Sequence, residues 1–76
     1  MGEMRILSRE GDTKQIWDPE NETEVEAAEM LFNELVKKKG YFAYYVDYKG
    51  KKTTKQMKVF DPTAGKIIIV PTVVAG

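Results

Sequence analysis

DPENETEVEAAEMLFNELVKKKG, residues 18–40, decides the fold. Asp18-Pro19 punctuates the chain, and Asn21 with Glu24, or Thr23 with Glu26, has the spacing of a capping box. Acids fill the first turns and Lys37, Lys38 and Lys39 the last, an order that complements the helix dipole. Gly40 follows as the stop. Val25, Ala28, Phe32 and Leu35 recur at spacings of three and four, flanked by Leu31 and Val36, while Glu22, Glu26, Glu29, Asn33 and Lys37 fall on the opposite side. The stretch therefore predicts one helix with one face built for burial. A single helix cannot bury that face alone, so the flanking segments must supply a sheet.

They read that way. Before the helix, MRILSREGDTKQIW (residues 4–17) predicts a hairpin with strands Met4–Arg9 and Thr13–Trp17 around the loop Glu10-Gly11-Asp12. Ile6 and Ile16 are expected on one face, with Leu7 and Trp17 on the other. After the helix, YFAYYVDYKGKKTTKQMKVF (residues 41–60) predicts a second hairpin turning at Lys49-Gly50. That turn sets Phe42 against Met57 and Val46 against Thr53. The core face would then carry Phe42, Tyr44, Val46, Met57 and Val59. The solvent face would carry Tyr41, Ala43, Tyr45 and Asp47, opposite Lys58, Gln56, Thr54 and Lys52. DPTAG (residues 61–65) is a turn, and KIIIVP (residues 66–71) is a last strand. Three consecutive isoleucines do not alternate, so that strand is expected to be central or covered on both sides, and Pro71 ends it. The order is β-β-α-β-β-β. It predicts an α+β, two-layer domain over residues 1–76, one helix across a mixed sheet, with an apolar tail over residues 71–76.

Composition narrows the function. The 76 residues form one domain with a thin core. Cysteine and histidine are both absent, which removes disulfides, thiol nucleophiles, the commonest general base and the commonest metal ligand. The one serine, Ser8, has no histidine to activate it. Acids at a helix N-terminus are explained by the dipole, and the glycine-centred calcium loop is missing. No glycine cluster forms a phosphate cradle. The expectation is no enzyme, no cofactor and no metal.

Twelve basic and twelve acidic residues cancel, so no global field draws the chain to nucleic acid or membrane. The charges are nonetheless segregated. Asp18 to Glu34 holds seven acids and no base, whereas Lys37 to Lys58 holds eight lysines and one acid, Asp47. No apolar run approaches the roughly 20 residues of a membrane helix, and no basic-plus-apolar leader opens the chain. A cytoplasmic protein, or a part of a phage particle, is expected. The lysine-rich hairpin beside Tyr41, Tyr45 and Tyr48 is a candidate for phosphates and bases. Its lack of arginine and the neutral total weigh against that reading, and lysine on an exposed strand edge also keeps sheets from joining.

The order of elements, the length and the glycine-ended tail resemble the β-grasp layout of ubiquitin-like proteins. That resemblance implies a C-terminal glycine joined to lysines of other proteins; here the last residues are Ala75-Gly76. The segments IWDPENETEVEAAEMLFNELVKKKGYFAYYVD and FDPTAGKIIIVP also look like small uncharacterised proteins of bacteria, bacteriophages and mobile elements, through W-D-P, K-G-Y-x-A-Y and F-D-P-T-A. The combined expectation is a protein–protein interaction or assembly module that binds a protein partner or itself. Its expected contacts are the tail residues Val70, Val73, Val74 and Gly76 and the hairpin residues Tyr41, Tyr45, Lys52 and Lys58. A ubiquitin-like modifier joined through Gly76 and a nucleic-acid binder using the lysine hairpin are the alternatives.

Overall fold

The computed structural model describes residues 1–8, 11–46 and 52–71, with the backbone alone for residues 52–54. The chain runs β1 (Gly2–Ile6), β2 (Thr13–Trp17), α1 (Glu22–Asn33), a π-helical turn (Glu34–Lys38), β3 (Phe42–Val46), β4 (Lys52–Met57) and β5 (Lys66–Val70). The five strands form one mixed sheet in the order β2-β1-β5-β3-β4. Only β1 and β5 run parallel; the other neighbouring pairs are antiparallel. This is a two-layer α+β, β-grasp-like fold. The helix connects the β2 edge to β3, and its buried side chains cluster with residues of all five strands.

Helix α1 begins as its sequence directs. Of the two possible caps, Asn21 is the one used, although the reciprocal bond of a full box is replaced, the Asn21 N–H donating to the Asp18 carbonyl at 2.9 Å. The Asn21 side chain accepts from the Glu24 N–H at 3.2 Å, and Glu24 Oε1 accepts from the Asp18 N–H at 2.9 Å. Replacing Asn21 with alanine should cost about 1 kcal/mol and lower the melting midpoint by about 4–8 °C in a thermal scan. The far end departs from the expected single α-helix. From Glu34 the turn widens, with the Lys39 N–H donating five residues back to the Glu34 carbonyl at 3.1 Å. Gly40 closes it at φ +73°, a left-handed conformation suited to glycine.

The core lies between helix and sheet. Ala28, Phe32 and Leu35 face down onto Met4, Ile6, Ala43, Met57, Ile67 and Ile69. β5 is central, as the isoleucine run implies, with Ile67 and Ile69 buried and Ile68 on the other face. The hairpin β1–β2 corrects two expectations. β1 starts at Gly2 rather than Met4, and it is Trp17, not Ile16, that shares the inner face with Ile6. Trp17 pairs with Gly2 and is wholly buried, whereas Ile16 is 45% exposed opposite Glu3. The bare backbone of Gly2 admits the indole, because a Cβ there would fall inside it.

The second hairpin corrects the larger expectation. Ala43 pairs with Met57 and Tyr44 with Gln56, but Val46 pairs with Lys52, so two extra residues of β4 are taken up between those pairs. That irregularity uncouples the strand register from the turn; Lys49-Gly50 itself lies outside the described residues. Against β5, Ala43 stands opposite Ile69 and Tyr45 opposite Ile67, and these residues face the helix. The faces are therefore exchanged over residues 41–45, while Val46 and Met57 are buried as expected. Ala43, Tyr41 and Tyr45 turn toward the core, and Phe42 and Tyr44 turn away from it. Val59 is 70% exposed rather than buried. The bulk missing at Ala43 is supplied from the following loop by Phe60, whose ring lies 5.0 Å from Trp17 and 5.7 Å from Phe32.

Candidate functional site

The face of the sheet turned away from the helix is divided in two by charge. Glu3, Arg5, Lys14 and Lys66 occupy its β1–β2 side, where Glu3 meets Lys14 at 3.9 Å and Lys66 at 3.6 Å. These pairs are exposed and contribute little to stability. The β3–β5 side is apolar. Phe42 stands opposite Val70 and Tyr44 opposite Ile68, which brings two rings and two aliphatic chains together on one surface. Phe42 is 38% exposed, and the other three are half-buried. Among the described residues no element packs over this cluster. An apolar patch with a polar rim is the composition of a protein contact surface.

The residues expected to make contacts are placed apart. Val70 lies on this patch. Tyr41 and Tyr45 are half-buried against the core on the opposite face, which corrects their expected exposure. Lys58 is exposed just beyond β4, and Lys52 is described only by its backbone, opposite Val46. Val73, Val74 and Gly76 lie outside the described residues. Phe42, Tyr44 and Ile68 were not expected at the surface. The charges Glu3 and Arg5 mark the water-facing side of β1, but only the strand pairings of the fold carry that parity to β5 and then to β3.

The two Asp-Pro motifs are structural. Asp18 Oδ1 accepts from the Glu20 N–H, and Asp61 Oδ1 accepts from the Thr63 N–H, both at 2.9 Å. Each aspartate thus holds the backbone two residues on, with proline fixing the position between. Trp17 Nε1 donates to the Pro62 carbonyl at 2.9 Å, so the W-D-P and F-D-P-T-A segments are bound to each other. Asp61 also accepts from the Thr63 hydroxyl at 2.6 Å and from the Tyr45 hydroxyl at 2.7 Å.

These bonds hold the Asp61 carboxyl below its ordinary value, Thr63 contributing most and Tyr45 next, against a smaller opposing effect of burial. They raise the Tyr45 phenol, chiefly through the bond to Asp61 and then through burial and the carboxylate charge. A lowered acid stabilises the fold above the usual carboxylate value of 3.8 and loses its contribution as pH falls through the lower folded value. A raised phenol stabilises below the usual 10.0 and loses its contribution as pH rises past that. Asp61→Ala should therefore melt lower than the parent at neutral pH, by about 1–2 kcal/mol. The gap should close as pH falls below 3.8 through the lower folded value, as thermal scans across pH would read.

Beside β4 an open cleft of about 410 Å³ lies among Tyr45, Lys55, Met57, Lys58, Val59 and Asp61. No cluster of three or more potential metal ligands occurs among the described residues. No helix among them is long and apolar enough to cross a membrane. No protein-family model, curated protein or solved structure matches the chain.

Proposed function

We propose that this chain is a non-enzymatic interaction or assembly module, binding a protein partner or a second copy through the apolar half of its outer sheet face. The observation that carries this reading is the juxtaposition of Phe42, Tyr44, Ile68 and Val70, with Phe42 left 38% exposed. A 76-residue domain has few large apolar side chains, and placing four on the face without a helix spends them outside the core. The tail residues Val73, Val74 and Gly76 follow Val70 in sequence and extend the same apolar character. The non-enzymatic part rests on the side-chain inventory. The chain has no histidine or cysteine, and its one serine hydroxyl donates to the Gly11 carbonyl at 2.6 Å.

A photo-crosslinking amino acid in place of Phe42 tests the proposal. A discrete adduct is expected, of twice the chain mass for a second copy or larger for another partner. The same group in place of Glu29, on the outer side of the helix, should give none. Absence of an adduct at position 42, or equal adducts at both positions, would count against it. A modifier joined through Gly76 is the second reading, favoured by the β-grasp-like strand order and by a last strand that leads directly toward the C-terminus.

A further inference from the structure

We infer that the free edge of β4, with the cleft beside it, is a second contact site that takes an extended acidic peptide strand. β4 is the last strand of the sheet and pairs only with β3, so alternate N–H and C=O groups point outward from it. Among the described residues no backbone hydrogen bond reaches that edge from the other side. Such an edge pairs with an added strand, whose side chains alternate between the two faces of the enlarged sheet.

Charge selects the kind of strand. Residues 49–60 hold five lysines and no acid. Lys55 and Lys58 are exposed, and neither has an ion-pair partner among the described residues. The acid nearest to them in the cleft, Asp61, is already committed to Thr63 and Tyr45. Lysines on an edge repel basic or like strands and admit acidic ones. Met57 and the exposed Val59 give the cleft an apolar wall for the alternate side chains. The occupant is therefore a segment that alternates carboxylates with aliphatic residues. Single-stranded nucleic acid fits less well, because the alternating N–H and C=O groups of a free strand edge are met by a peptide backbone and not by a sugar-phosphate chain. This site is separate from the outer sheet face and stands or falls independently of it.

The test is a titration of the 15N-labelled full chain with a short peptide of alternating glutamate and valine, followed by amide shifts. Saturable shifts are expected at Lys55 through Val59 and at Tyr45, with none at Phe42 or Ile68. The double variant Lys55→Glu/Lys58→Glu should keep the parent melting midpoint and weaken binding roughly tenfold. The same peptide N-methylated at alternate residues should not bind, because strand pairing needs its N–H groups. The proposal is overturned by any of three results: no shifts at about 1 mM peptide, equal binding of the N-methylated peptide, or stronger binding of a single-stranded oligothymidylate to the same residues.

Discussion

Trp17→Ala should leave little folded protein at physiological temperature. The indole is wholly buried, its ring packs edge-on against Phe60, and its N–H reaches the Pro62 carbonyl at 2.9 Å. Emptying such a site costs about 3–5 kcal/mol. A domain of this length has about 4–11 kcal/mol in total, so the loss takes a large share of it. The melting midpoint should fall by tens of degrees. Trp17→Phe separates the causes. It keeps most of the packing but leaves the Pro62 carbonyl without its donor, and should melt between parent and alanine variant. Gly2→Ala attacks the same contact from below. Its Cβ would displace the indole, at a cost of about 1–3 kcal/mol. Circular dichroism melts of the three variants check the set. A Trp17→Ala chain that melts near the parent would show that the two Asp-Pro segments are not joined through this ring.

Ala43→Lys should be nearly as damaging, although the residue is small and lies in a hairpin rich in lysine. Ala43 is wholly buried between Met57 on β4 and Ile69 on β5, facing the helix. A lysine there both overpacks the layer and brings an unpaired ammonium into it. The expected cost exceeds about 3 kcal/mol, and the chain should be largely unfolded by the loss of its melting transition. The register counted from Lys49-Gly50 implied the reverse, with Ala43 on the wet face. This variant therefore distinguishes the two registers directly.

That reversal shows where the sequence was legible and where it was not. The helix start, its buried face and Gly40 are local, and each is encoded within a few residues of where it acts. Centrality of β5 was readable because Ile67, Ile68 and Ile69 leave no polar face. The strand order was not readable, because it depends on pairings such as Met4 with Ile67 that span most of the chain. The faces of β3 failed for a related reason. Counting back from Lys49-Gly50 assumes an unbroken ladder, and the irregularity between Tyr44 and Val46 breaks it. Apolar bulk was also a poor guide. The inner layer uses a small alanine on the strand because Phe60 arrives from a loop to fill the space. The motifs W-D-P and F-D-P-T-A stood out in the sequence, but only the fold reveals that they pack on each other. Their repetition reflects structure, so the proposed contact surface rests on the less conspicuous pair Phe42 and Val70.

Phe42 thus carries the central claim, that the outer sheet face is kept for contact and not for the core. The most direct test is to measure size by light scattering and the thermal midpoint on the parent and on Phe42→Lys, at matched concentrations and with the interaction partner where one is found. The account predicts a variant that melts within a few degrees of the parent, since surface changes usually stay within about 0.5 kcal/mol, and that no longer associates with a second copy or with the partner. A variant that melts far below the parent would place Phe42 in the core. One that associates as the parent does would move the contact surface elsewhere.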